Sequence, residues 1–442
     1  MAKNNNLTDF LTDVANAIRA KKGTTAKINP QDFSSEIASI STGGGGGGGT
    51  SVAVSKSDVN FYDYDGTLLH SYTKSAFLAL SALPDLPTRD GLTCQGWNYT
   101  IAKAKEYVTS YGILDIGATY ITDDGKTRLY IRIAAEGRMA VPLYFSQTAA
   151  NGVTIDWGDG SATQKLSGAG NVNTTHTYAA IGDYVITLKV NSGTLGLGHG
   201  SSSYCVMGAT GNNGRVYCNM LQKVEIGSSV TSIGTYAFDH CHSLASVVIP
   251  SSVTSIGTRA FGYCYSLASV VIPSSVTSIE TYAFGYCYSL ASVVIPSSVT
   301  SIGTYAFYYC YSLASVVIPS SVTSIGTYAF YYCYSLASVV IPSSVTSIET
   351  YAFGYCYSLA SVVIPSSVTS IGTYAFRSCY GMAYYDFRAF KSVPTLSNTN
   401  AFNNIPSDCK IVVPDSLYSS WTTATNWSTY ASKIVKASAF NG

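Results

Sequence analysis

Residues Phe61-Tyr62-Asp63-Tyr64-Asp65-Gly66-Thr67 place two carboxylates two positions apart, behind an apolar pair and ahead of a glycine. That spacing suits one Asp attacking phosphorus while the second protonates a leaving group. The bland alternative is an Asp-Gly turn. His240-Cys241-His242 gathers metal-ligand residue types, but a zinc site needs further ligands close by, and the matching positions 23 residues later are Tyr263 and Tyr265. Gly125-Lys126-Thr127 ends like a phosphate loop, yet the glycine required five residues before Gly125 is Tyr120. His70, His176 and His199 accompany no recognisable Ser or Cys motif. No catalytic constellation, cofactor or metal site is expected.

The remaining chemistry is that of tyrosine, which supplies 36 of the 442 residues. Most of it sits in a repeat. The unit Ser-Leu-Ala-Ser-Val-Val-Ile-Pro-Ser-Ser-Val-Thr-Ser-Ile-Gly-Thr-Tyr-Ala-Phe-x-Tyr-Cys-Tyr occurs six times almost unchanged from Ser243 to Tyr380, with prolines at 250, 273, 296, 319, 342 and 365. A degenerate copy begins near Met220 and another runs from Met382 towards Phe402. Apolar residues recur at the positions of Leu244, Val247, Ile249, Val253, Ile256, Ala260, Phe261 and Cys264. One such unit cannot close a core, whereas stacked units bury a continuous one. The pattern predicts a solenoid over 193–414.

Within a coil the apolar frame is fixed, so the differences among copies mark side chains that the core does not dictate. Arg259 is followed at its position by Tyr282, Tyr305, Tyr328, Tyr351 and Tyr374. Asp239, Gly262, Gly285, Tyr308, Tyr331, Gly354 and Arg377 share a second position, and His240, Tyr263, Tyr286, Tyr309, Tyr332, Tyr355 and Ser378 a third. Neighbouring coils lie about 4.8 Å apart, so these residues form aromatic ladders along one edge. Tyr with Ser and Gly offers rigid, amphipathic contact area, as in antibody paratopes. The alternative is a ladder that only packs between coils. The expected ligand-binding set is Arg259, Tyr263, Tyr282, Tyr286, Tyr305, Tyr308, Tyr309, Tyr328, Tyr331, Tyr332, Tyr351, Tyr355 and Arg377. In the strand Leu244–Ile249, Ser246 and Val248 point outward, giving a uniform face suited to a repetitive target or a neighbouring subunit.

Eight of the 11 cysteines, at 218, 241, 264, 287, 310, 333, 356 and 379, follow the same spacing of 23. One thiol per repeat reads as a reduced core residue rather than a disulfide framework.

The other segments must position this edge. Leu7, Phe10, Leu11, Val14 and Ile18, then Phe33, Ile37 and Ile40, give two short amphipathic helices in a module over 1–42. Gly43 to Gly49 opens a glycine-rich tether over 43–51. A small α+β spacer is expected over 52–135, with helices at 75–83 and 97–111 and a hairpin across Asp123-Asp124-Gly125-Lys126. Alternating strands over 136–192 suggest a β-sandwich. A helix over 416–436, within a cap at 415–442, would cover the last coil. The fold class is thus mainly β.

Lys+Arg 25 against Asp+Glu 24 leaves a net charge of +1, which argues against a nucleic-acid partner. No apolar run is long enough for a membrane span, and no signal-peptide pattern opens the chain.

Several motifs resemble known families. The frame Leu244, Val247, Ile249, Pro250, Val253, Ile256, Gly257, Ala260, Phe261 and Cys264 closely resembles the BspA-like leucine-rich repeat, which implies a right-handed solenoid used mostly for adhesion. Asp156-Trp157-Gly158-Asp159-Gly160 with His176-Thr177-Tyr178 looks like a PKD-type domain, which implies an immunoglobulin-like sandwich. Ala15–Phe33 is similar to N-terminal modules of phage tail proteins, and Cys409–Leu417 with Ala424–Trp427 to the end of such repeat proteins in gut bacteria and their phages. Asp63 to Thr67 resembles the haloacid-dehalogenase nucleophile motif, although a parallel sheet with a downstream Lys has no room in 52–135.

Together these imply a non-enzymatic receptor-binding protein of a phage tail, located in the virion. It would hold other virion proteins through 1–42 and meet a host-surface glycan or protein through the tyrosine edge. Homo-oligomerisation is compatible with this reading. The alternative is a bacterial cell-surface adhesin.

Overall fold

The computed structural model describes residues 57–198, 204–209 and 215–440, all within the unit Val54–Gly442. The helical module expected at 1–42 and the tether at 43–51 lie outside the described residues.

Each regular coil begins with a three-residue strand, as in Ser246–Val248, Ser269–Val271 and Ser292–Val294. Successive coils pair parallel and in register, residue i with i+23, so that Ser269 faces Ser292 and Val270 faces Val293. A two-residue strand later in the coil, Ser278–Ile279 against Ser301–Ile302, does the same on another side. Pro273 follows the first strand and accepts from the Val276 amide at 3.1 Å, closing a turn. The Leu, Val, Ile, Ala, Phe and Cys positions of the frame are all buried. Burying each large side chain contributes about 1.5–3 kcal/mol. Phe238, Phe261, Phe284, Phe307, Phe330, Phe353, Phe376 and Phe402 stack down the interior at 5.2–5.7 Å.

Cys241, Cys264, Cys287, Cys310, Cys333, Cys356, Cys379 and Cys409 are free and buried. From Cys264 to Cys379 each thiol donates to the Phe carbonyl of the preceding coil at 3.2–3.3 Å. Cys218 departs from the expectation, being disulfide-bonded to Cys205. It stands in the degenerate first coil, where a two-stranded piece, Tyr204–Cys205 with Gly208–Ala209, lies against it.

The sandwich and the solenoid are one continuous structure. In one sheet β5 (Thr127–Ile133) lies between β10 (Gly182–Val190) and the first solenoid strand, Leu221–Glu225, with β7 (Val153–Asp156) and β8 (Gln164–Lys165) beyond β10. The facing sheet holds β6 (Ala140–Gln147), β9 (Gly170–Thr177) and β11 (Leu195–Leu197), and β11 pairs with Val230–Ile233 of the first coil. The sandwich thereby covers the N-terminal end of the repeat core.

The hairpin expected across Asp123 to Lys126 does not form. β4 (Leu114–Thr122) pairs with β1 (Val59–Tyr62) and β3 (Leu92–Trp97), whereas β5 belongs to the sandwich. With β2 (Leu68–Tyr72) these make a four-stranded sheet, β2-β1-β4-β3. Helices α1 (Lys74–Ala79) and α2 (Ile101–Tyr111) accompany it, each capped by a threonine, Thr73 or Thr100. Trp97 ends β3 rather than starting α2.

This unit lies flat on the solenoid's outward strand face. Val248, Val271, Val294 and Val317 are buried beneath it, whereas Val340 is half-buried and Val363 is 60% exposed. The uniform face, expected from the sequence to meet a repetitive target or a neighbouring subunit, is therefore occupied over four coils by this unit of the same chain. Gly117 permits the close approach, since a Cβ there would sit 2.6 Å from Val271 Cγ1.

At the C-terminus, the helix expected over 416–436 is broken. A short helix, Tyr418–Thr423, and a turn at Trp427–Tyr430 are separated by Asn426 at φ 65°. Ile434–Lys436 then adds a parallel strand beside Lys410–Val413. Trp421, Trp427 and Tyr430 are buried against Phe387 and Phe402, closing the last coil.

Candidate functional site

The edge of each coil is a tight turn with two residues in the left-handed region. They are Arg259 (φ 53°) and Tyr263 (φ 59°) in one coil, Tyr282 (56°) and Tyr286 (63°) in the next, and so on to Tyr374 (59°) and Ser378 (56°). Holding an L-residue there costs roughly 1–2 kcal/mol, and glycine or asparagine would cost less. The turns are held from the next coil: the Arg259, Phe261 and Tyr263 amides donate to Thr281, Ala283 and Gly285 carbonyls at 2.8–3.0 Å.

The side chains that leave these turns stack. One ladder runs His240, Tyr263, Tyr286 and Tyr309 at 4.2–5.1 Å and 11–13°, then tilts at Tyr332 and Tyr355. A second runs Tyr282, Tyr305, Tyr328, Tyr351 and Tyr374 at 4.4–4.8 Å. The Arg259 guanidinium lies 4.7 Å from the Tyr282 ring centroid and heads this ladder. Arg377 covers the other end, 4.9 Å from Tyr374 and 5.5 Å from Tyr355. A third ladder is His242, Tyr265, Tyr288, Tyr311, Tyr334, Tyr357 and Tyr380. Sequence comparison among coils passed over it because those tyrosines do not vary. The signal that finds it is the two-residue offset from Tyr263.

Tyr308 and Tyr331 stand across the furrow between the first two ladders. Tyr308 reaches back to Tyr282 and Tyr286 at 6.0 and 5.2 Å, Tyr331 forward to Tyr351 and Tyr355 at 5.1 and 5.2 Å, all at 75–89°. The glycines at the same position make room. A Cβ on Gly354 would lie 2.9 Å from Tyr331 Cδ2, and one on Gly262 would lie 2.7 Å from Asp239 Oδ1. The variation between Gly and bulky residues therefore has a packing cause, each large side chain leaning over a neighbouring coil.

Ladder faces are turned against one another, so the ring faces are covered by their neighbours along the edge. The rings from Tyr263 to Tyr374 are half-buried, and Tyr380 at the end of its ladder is 55% exposed. Desolvation raises the pKa of Tyr282, Tyr309 and Tyr357, while hydrogen bonds from neighbouring phenols, Tyr308 at Tyr309 and Tyr334 at Tyr357, work against it. The result is a pre-ordered array of hydrogen-bonding groups on a rigid apolar base.

The other sequence candidates fall elsewhere. Asp63 is buried in an ion pair with Arg89 and accepts from the Tyr64 amide at 2.8 Å. Asp65 accepts from the Thr67 amide at 2.9 Å, completing a turn. His240 Nδ1 lies 2.6 Å from Asp239 Oδ2, and both His240 and His242 serve as first rungs of ladders. Among the described residues no group of three or more His, Cys, Asp and Glu could hold a metal ion, and no helix is long and apolar enough to cross a membrane.

The family model described as "BspA type Leucine rich repeat region" matches residues 212–337 and 323–426. The chain carries a BspA-type leucine-rich repeat region. No curated protein matches the chain. Among solved structures, the BspA-type repeats are similar to a leucine-rich repeat protein from Bacteroides ovatus at 25% identity, covering 47% of this chain and 64% of that one, with a TM-score of 0.33. The chain thus spans just under two thirds of that protein's length. The T. pallidum leucine rich repeat protein is 33% identical over 36% of this chain and 83% of its own (TM-score 0.33). A leucine rich cell surface protein from Faecalibacterium prausnitzii is 30% identical over 50% of this chain and 82% of its own (TM-score 0.30).

Proposed function

We propose that the chain is a non-enzymatic adhesion protein whose tyrosine edge meets a surface receptor, a glycan or a protein, at a bacterial cell surface. The carrying observation is the tyrosine array itself. The rings of its first two ladders, from Tyr263 and Tyr282 onward, occupy left-handed positions where glycine or asparagine would cost less. Immobilised by stacking, they lose little further side-chain freedom on binding. The BspA-type repeats support an adhesive role by resemblance. The Cys205–Cys218 disulfide suits an oxidising exterior.

A phage tail is the second setting. It rests on the resemblance of Ala15–Phe33 and Cys409–Leu417 to phage proteins, with 1–42 as the attachment module and the PKD-type resemblance of the sandwich marking a spacer. Protease treatment of intact producing cells, followed by detection of the chain, separates the two. Loss of the chain from intact cells supports the cell-surface reading. Protection in cells together with recovery in purified phage particles supports the tail. Saturable binding of the purified chain to host cells is expected in either setting, and absence of binding would overturn the adhesive reading.

A further inference from the structure

The four-stranded unit that lies on the solenoid touches it through groups that every coil possesses. The Asn98 amide donates to the Ile272 carbonyl at 3.5 Å, the Tyr99 hydroxyl to Ile295 at 3.1 Å, and the Tyr107 hydroxyl to Ile318 at 2.6 Å. The Tyr111 hydroxyl accepts from the Ser343 amide at 3.1 Å, one coil further on. The three carbonyls are 23 residues apart, the repeat length. The apolar part of the contact is the Val column, Val248, Val271, Val294 and Val317, again one residue per coil. The next coils offer Ile341 with Val340 and Ile364 with Val363, and Ser366 stands where Ser343 does. Beyond Val317 this column loses its cover, since Val363 is 60% exposed.

Nothing in these contacts distinguishes one regular coil from another. The register is set instead by covalent connection, for only Asp123 to Lys126 separates β4 from β5, and β5 is paired to the first solenoid strand. The Ser251 amide bound to Gln95 Oε1 at 3.0 Å, and Ser269 Oγ bound to the Tyr64 carbonyl at 3.1 Å, hold the same end.

We propose that residues 57–122 form a strap that recognises the coil repeat rather than particular coils, so that when a whole 23-residue coil is lost or gained the strap docks on the coil that takes its place. The extent of the tyrosine edge is then free to change while the strap and both end covers keep their contacts. The inference stands independently of what the edge binds.

Deleting residues 289–311 joins Tyr288 to Ser312 in frame. Ile318 then occupies the place of Ile295, Ile341 that of Ile318, and Ser366 that of Ser343. Amide hydrogen exchange of Ile101–Tyr111 in the full chain and in the deleted chain reads the strap directly. Protection is expected to agree within about tenfold. Tyr107→Phe should lower that protection by the same factor in both chains, because its hydroxyl meets an Ile carbonyl in each. A second variant duplicating 289–311 should behave alike. Loss of protection in α2 by more than about a hundredfold, or a Tyr107→Phe effect confined to the parent chain, would overturn the proposal. Failure of both length variants to fold would overturn it as well.

Discussion

The Tyr107 hydroxyl donates to the Ile318 carbonyl at 2.6 Å across 211 residues of sequence, with Tyr107 itself 3% exposed. This bond ties a helix near the start of the described chain to the fourth regular coil. Tyr107→Phe leaves a buried carbonyl without its partner, a loss of about 1–3 kcal/mol. Denaturant unfolding should show that fall. Tyr380→Phe, at an exposed ladder end, should move the midpoint little.

The periodic thiols should be chemically inert. Desolvation raises Cys264, Cys310, Cys333 and Cys356 well above the ordinary thiol range, and each is fully buried. A thiol reagent should label half-buried Cys94 first in the native chain, and the ladder only in denaturant. Cys205 and Cys218 should stay unlabelled in denaturant until reductant is added. Prompt native labelling of Cys287 or Cys310 would contradict the core placement.

Gly354→Ala should be felt through Tyr331. Its Cβ would meet the Tyr331 ring at 2.9 and 3.0 Å and the Tyr351 ring at 3.2 Å, forcing the tile of rings to shift. A loss of about 1–3 kcal/mol is expected, as for other overpacked sites. Gly137→Ala, where a Cβ meets nothing within 4 Å, is the control and should be near neutral.

Acid should weaken the sandwich before the solenoid. Hydrogen bonds from Ser161, then His176, hold Asp159 down to about 2 from an ordinary 3.8. A depressed carboxyl contributes stability above its unfolded value, and that contribution is lost as pH falls from about 4 towards 2. Asp159→Asn should remove this part of the pH dependence. An unchanged acid limb in the variant would show that the Asp159–His176 contact contributes nothing there.

The solenoid was legible because its signal repeats: Leu244, Val247, Ile249, Phe261 and Cys264 recur at one spacing, and the same positions are buried in coil after coil. Two of the three ladders were legible for the same reason, since a 23-residue period translates directly into stacked rungs, whereas the unvarying ladder from His242 to Tyr380 left no difference among coils to mark it. The strap was not. Alternation in Ser246–Val248 correctly turns Val248 outward, but only tertiary contact covers it, and Tyr99 or Tyr107 carries no mark in sequence of a partner some 200 residues away. The false hairpin at Asp123 to Lys126 has a similar origin, because a turn signal does not say which sheets its flanking strands join. Cys218 fell on the period yet pairs with Cys205, as the first coil is degenerate and its neighbours differ. The alternation of Gly and Tyr marks a position the core does not dictate, but only the structure shows that Gly354 is fixed partly by the ring of Tyr331.

If the tyrosine edge is the receptor-binding surface, removing its rings must cost affinity. Tyr308→Gly with Tyr331→Gly gives two coils the residue that Gly285 and Gly354 already carry at that position, so the coil fold is one the chain already tolerates. Binding of the purified double variant to host cells, measured beside its melting temperature, is the most direct measurement. Each ring that anchors a contact is worth about 1–3 kcal/mol, so affinity should fall at least tenfold while cooperative melting is retained. Full affinity in a folded double variant would contradict the account and move the receptor site away from this edge.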